Sequence, residues 1–275
     1  MSEQLRRLLA GPAQDIDLAQ AALLVASHAN PELDVAGYRQ RIADLTVQMA
    51  NLVDPQSRIA DRIARLNRYF FGELGFTPNI TDYYNPRNSL LDEVLDRRTG
   101  IPITLSLLYM EIGRGAGLSM QGVNFPGHFL VRCEAPPGAI ILDPYSLGAS
   151  FDEKTLHHRL GDIQNGGALQ VRLPELLAGA DNKDILVRML RNLKAIYLRD
   201  EKFSLALPIV DWLVTAKPGE AMEMRDRGFI YQELECFRAA VNDFESYLAM
   251  APAGADASEI RARLTELRLV AARLN

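Results

Sequence analysis

Two polar residues set between apolar runs are the first candidates for chemistry in this chain of 275 residues. His128 stands in Phe125-Pro126-Gly127-His128-Phe129-Leu130-Val131, and Asp143 in Ile141-Leu142-Asp143-Pro144. An imidazole is a general base near neutral pH, and it works best when a carboxylate fixes its tautomer and orientation. Each residue stands at the end of a strand-like segment, so neighbouring strands would bring the two side chains together. A purely structural histidine–aspartate bond would leave the same trace, and spacing does not choose between the two. Metal chemistry is poorly supplied. His157 and His158 are adjacent and diverge by about 100° on a helix, unlike the i, i+4 pair of a helical zinc site. Gly113, Gly115 and Gly117 lack the sequence and strand context of a phosphate-cradling loop. No metal and no cofactor is expected.

The elements that must position His128 and Asp143 can be read from periodicity and punctuation. Three helices are predicted before any strand: about Ile16 to Ala29 with Asp15 as N-cap, about Leu33 to Leu52, and a third ending near Phe71. Glycines and prolines from Gly72 to Pro86 mark a loop-rich passage. A short helix over Ser89 to Leu95 and a turn at Arg97 to Gly100 follow. Pro102 then opens a strongly apolar helix running to about Gly115, at a helix start where a missing N–H costs nothing. Strands are predicted at Phe129 to Cys133 and Ala139 to Leu142 around the turn Pro136-Pro137-Gly138, with a third within Ser119 to Phe125. Helices followed by antiparallel strands make an α+β pattern.

A polar joint at Ala180 to Lys183 divides the chain into residues 1–182 and 183–275. Beyond it the pattern is all-α with an internal period. Tyr197 recurs as Tyr231, Ala206 as Ala240 and Pro218 as Pro252, each after 34 residues. That period, with small, aromatic and proline positions in this order, is the tetratricopeptide pattern. Gly228 takes the close-packing position and Phe244 the bulky one. Two hairpins and a capping helix, Ala257 to Leu274, are expected, with Arg188, Arg191 and Lys194 exposed on the first helix as candidates for partner contact.

Composition narrows the class. Apolar residues make up 48% of the chain and the net charge is −5, with an acidic excess confined to residues before Lys183. This is not the basic footprint of a nucleic-acid binder. No segment approaches the roughly 20 apolar residues of a membrane helix, so no membrane partner is expected. Two cysteines, Cys133 and Cys236, form no framework, which favours a reducing, cytoplasmic setting.

One stretch also resembles a known family. Asn88-Ser-Leu-Leu, Arg97-Arg-Thr-Gly-Ile-Pro-Ile-Thr-Leu-Ser-Leu-Leu-Tyr109, Arg114-Gly-Ala-Gly-Leu118, Phe125-Pro-Gly-His-Phe-Leu130 and Asp143-Pro144 are similar to the SirB family of bacterial transglutaminase-like proteins with tetratricopeptide repeats. The resemblance implies a transglutaminase-like (papain-like) core with a small antiparallel sheet, followed by the repeats. It assigns His128 and Asp143 to two places of a catalytic triad. The superfamily's cysteine, at the start of the helix preceding Arg114-x-x-Gly117, falls at Pro102 or Ile103, so the nucleophile is absent. Thr104 and Ser106 lie within a turn of that position and are the hydroxyls that could substitute, although each step along a helix redirects the side chain. Cys133 follows His128 at an odd separation and would face the other side of a strand. The expected function is a non-catalytic scaffold, with a link to bacterial gene regulation suggested by the resemblance. It would hold a protein or peptide in the old groove around His128, Asp143 and Asn124, and a second partner on the repeats. The alternative is a hydrolase or acyltransferase with a non-cysteine nucleophile.

Overall fold

The computed structural model describes residues 2–164 and 172–273. The chain forms two compact units, one of Pro12–Met189 and the other of Leu190 onward together with Glu3–Gly11. The helix α1 (Ser2–Ala10), not anticipated from sequence, belongs almost wholly to the second unit, where Leu5 and Leu9 are fully buried.

The first unit opens with α2 (Leu18–Ala29), α3 (Val35–Ala50) and α4 (Ile59–Asn67). The N-cap of α2 is Asp17, two residues after the expected Asp15; its carboxylate accepts from the Gln20 N–H at 2.9 Å, as an N-cap must. After α4 come β1 (Thr77–Pro78), α5 (Leu91–Arg97), β2 (Thr99–Gly100) and α6 (Pro102–Gly113). Every residue of α6 is buried. A helix apolar on all sides has no solvent face to offer, and α6 is packed by α2, α3, α4, α5 and the sheet. Gly115, just past its end, is required by this packing: a Cβ there would run into the Thr46 carbonyl of α3.

The sheet is a four-stranded antiparallel meander of β3 (Met120–Val123), β4 (Leu130–Ala135), β5 (Gly138–Asp143) and β6 (Ala149–Phe151). The edge strand β6 and helix α7 (Glu153–Gln164) had no sequence prediction. Leu156 and Leu160 of α7 pack with Val123, Phe125, Leu130 and Ile141, which explains why those positions are apolar. The short α8 (Leu173–Leu176) adds Leu173 to the same core. The unit runs on into α9 (Asn182–Arg199) as far as Met189.

The second unit contains the remainder of α9, then α10 (Phe203–Ala216), α11 (Ala221–Glu233), α12 (Phe237–Met250) and α13 (Ala257–Arg273). Leu274, the expected end of the last helix, lies outside the described residues. The 34-residue period is written in the backbone as well as in the residues. Tyr197 and Tyr231 each accept, through their carbonyls, an N–H from the residue five positions on, Lys202 and Cys236, both at 2.8 Å. Glu201 and Glu235 in these turns both take left-handed backbone, at φ 56° and 57°, which is the closing geometry of a helix end. Ala206 and Ala240 are fully buried, and Pro218 and Pro252 each follow a helix end. Gly228 makes room for Phe244, whose ring would lie 2.6 Å from a Cβ at that position.

Candidate functional site

The β4–β5 hairpin brings the candidate pair together. Its register sets Val131 opposite Leu142, so Asp143 at the end of β5 lies beside the chain that enters β4. His128 is in that entering chain, not in the strand itself. Phe125-Pro126-Gly127-His128 is a tight turn: the His128 N–H donates to the Phe125 carbonyl at 3.1 Å, and Gly127 has φ 66°. Proline followed by a residue at positive φ is the demand of a type II turn, and glycine meets it without strain. Phe125 and Phe129 are both buried and pin the turn at either side.

His128 Nε2 lies 2.9 Å from Asp143 Oδ2. The two atoms are within hydrogen-bond reach, but the N–H is not aligned on that oxygen. The arrangement leaves Nδ1 as the nitrogen not turned to the acid. Asp143 is fully buried, and both of its carboxylate oxygens accept hydrogen bonds. Oδ1 accepts from the Tyr145 N–H at 2.9 Å, and Oδ2 accepts from the Ser146 hydroxyl at 2.7 Å. Burial pushes its pKa up, but His128, Ser146 and the Tyr145 N–H together hold it below the usual carboxylate value. Pro144 starts the short 3-10 turn that delivers these donors, and α6 packs against that turn.

Sequence reasoning missed the aromatic wall. The Tyr145 ring meets His128 edge-on at 6.0 Å and Tyr83 at 6.3 Å, and Tyr83 meets Tyr84 at 5.1 Å. The Tyr145 hydroxyl donates to the Asn79 carbonyl at 2.7 Å. The loop carrying Tyr83 is organised by Asn88, whose buried amide donates to the Asp82 and Tyr83 carbonyls and accepts from Asn79 and Arg97. Ile80 and Tyr84 on this loop are 77% and 61% exposed. A buried asparagine beside two tyrosines in a turn-rich segment was the available signal.

The other candidates separate. Thr104 is fully buried; its hydroxyl donates to the Asn88 carbonyl at 2.8 Å and accepts from the Ile101 N–H at 3.2 Å, so it caps α6. Ser106 is also fully buried. Cys133 is buried near Tyr109, and burial pushes its thiol up to about 11. Because β4 begins at Leu130, that packing rather than strand parity from His128 turns the thiol inward. Asn124 is half-buried, with its carbonyl oxygen 3.4 Å from Arg188.

The expectation of three exposed cations on the first repeat helix needs correction. Arg188 belongs to the first unit. Its guanidinium donates to the Phe125 carbonyl at 3.0 Å and the His128 carbonyl at 2.6 Å, closing over the histidine turn. Lys194 is only 12% exposed and bridges Glu223 and Asp226 of α11 at 2.7 and 2.6 Å. Arg191 remains partly exposed but also holds Glu223, at 2.8 Å. The buried Glu223 carboxylate has to be paired, and this need draws the cations off the surface. Among the described residues no three histidine, cysteine or acidic side chains stand close enough to hold a metal ion, and no helix is long and apolar enough to cross a membrane.

Residues 36–191 match the transglutaminase-like superfamily, and residues 193–265 match the tetratricopeptide repeat. A UPF0162 protein of Xylella fastidiosa is 34% identical over 255 residues, covering 92% of this chain and 91% of that protein. A UPF0162 protein of Vibrio cholerae is 32% identical over 86% of this chain and 87% of its own length. Protein SirB1 of Salmonella typhimurium is 30% identical, with coverage of 75% and 76% respectively. With its histidine and aspartate joined at the end of the meander and its helical repeats beyond, the chain belongs to the transglutaminase-like superfamily, in the family of the UPF0162 and SirB1 proteins.

Proposed function

We propose that this chain is a non-catalytic protein-binding protein of its family. A peptide segment would lie in the groove around His128, Asp143 and Asn124, and the tetratricopeptide unit would offer a second surface. One observation carries the reading. The imidazole–carboxylate pair is built and supported, yet the hydroxyls beside the position of the missing cysteine are enclosed, with Thr104 spent on capping α6. A nucleophile has to reach its substrate, and a buried serine or threonine does not. What faces the solvent is an aromatic and apolar rim of Ile80, Tyr83 and Tyr84, which suits recognition better than bond cleavage. A regulatory role in the cytoplasm fits this reading.

The test has two arms on the full chain. In the first, a displayed random-peptide library is selected on wild type and on His128→Ala. The expected result is a motif enriched on wild type and lost on the variant. In the second, turnover of an activated ester and of a glutamine-containing peptide amide is measured for the same pair. Turnover that depends on His128 would replace the binding reading with a hydrolase or acyltransferase.

A further inference from the structure

We propose that Arg188 is an anion anchor of the His128 groove, and that the peptide held there presents a carboxylate to it. This rests on the reading of the groove as a peptide site and names the chemistry that the site selects.

Three observations within the first unit converge. The first is the unbalanced charge. Among the described residues, Arg188 donates only to neutral oxygens: the Asn124 amide at 3.4 Å, the Phe125 carbonyl at 3.0 Å and the His128 carbonyl at 2.6 Å. The other cations near the groove are paired differently. Arg87 and Arg97 share Glu93, at 2.8 and 3.3 Å, and Arg159 lies 3.9 Å from Asp143. A half-buried guanidinium that faces neutral oxygens and the Phe129 ring, 5.6 Å from its centre, has given up water without gaining a carboxylate counter-ion among the described residues, and burial lowers its pKa accordingly. The second observation is donor capacity. A guanidinium has five N–H groups in a fixed fork, and three bonds leave two of them for a ligand. Carboxylate is the group that such a planar pair fits best.

The third observation is position. Arg188 closes over the turn that carries His128, and the His128 ring leads through Tyr145 to Tyr83, which feels the Arg188 charge, and on to the exposed Tyr84 and Ile80. An anion at Arg188 would therefore sit at one edge of an aromatic and apolar surface. The matching ligand is a peptide with an acidic group followed by an aromatic or aliphatic residue. The carboxylate could be an aspartate or glutamate side chain, or the C-terminus of the peptide.

The experiment starts from the motif that wild type enriches in the displayed library. Synthetic peptides of that motif are made with each acidic residue changed to its amide, and with a free or amidated C-terminus. Affinities are measured by calorimetry for wild type, Arg188→Lys and Arg188→Gln. Replacing one carboxylate should weaken wild-type binding about tenfold or more, and the same replacement should cost little against Arg188→Gln. The side-chain and C-terminal versions identify which carboxylate is used. Arg188→Lys keeps the charge without the fork and should fall between the other two. Changing the peptide leaves the protein intact, so a folding defect in the variants cannot mimic the first result. An enriched motif that depends on His128 but tolerates removal of every carboxylate would overturn the anchor and leave the groove standing. Absence of any His128-dependent motif would overturn both.

Discussion

Replacing Asp143 with alanine removes a fully buried carboxylate on which two donors converge, the Tyr145 N–H at 2.9 Å and the Ser146 hydroxyl at 2.7 Å, with His128 Nε2 2.9 Å away. Losing the acceptor leaves the first two without a partner in the interior, and each buried polar group so orphaned costs about 1–3 kcal/mol. Ser146 can rotate its hydroxyl elsewhere, so the lower half of that range applies to it. A total of about 2–5 kcal/mol is expected. Asp143→Asn keeps an oxygen for Tyr145 and should cost about half as much. The pH dependence separates charge from shape. The folded-state pKa of Asp143 is lowered, so its contribution is fully present above the unfolded value of about 3.9 and disappears as pH falls through the lower folded value. Asp143→Asn should therefore flatten that acidic segment of the stability curve. Hydrogen exchange of the amides in residues 130–143, read by mass spectrometry between pH 5 and 8, and denaturant titration at lower pH are the assays. Protection in Asp143→Ala within about 0.5 kcal/mol of wild type would refute the claim that this carboxylate organises the end of the hairpin. So would an unchanged acid limb in Asp143→Asn.

Two further outcomes are expected. Gly228→Ala would put a methyl 2.6 Å from the Phe244 ring; overpacking of this kind costs about 1–3 kcal/mol, and Phe244→Leu in the same chain should recover most of it in thermal unfolding. Cys133, buried with its thiol pushed up to about 11, should resist iodoacetamide in the folded protein at pH 8, whereas the exposed Cys236 should alkylate readily; fast modification of Cys133 would show the sheet to be more open than described.

The local parts of this protein were legible in its residues. The helix opened at Pro102, the turn at Pro136-Pro137-Gly138, and the 34-residue recurrence of tyrosine, alanine and proline each follow from backbone preferences and periods that act over a few turns. The proximity of His128 and Asp143 was legible for a related reason: a short hairpin leaves little choice of register when one face is buried. Helix α1 and strand β6 were not legible. Both are short, and their conformation is set by what they pack or pair with more than by their own period. The cations were misread for a deeper reason. Sequence makes Arg188, Arg191 and Lys194 look like one polar helix face, because spacing along α9 says nothing of what stands opposite. Only the tertiary fold puts the buried Glu223 against Arg191 and Lys194, and the carbonyls of the histidine turn against Arg188. Charge pairing in a partly buried site is decided by groups far apart in sequence, and that is the information a one-dimensional pattern does not carry.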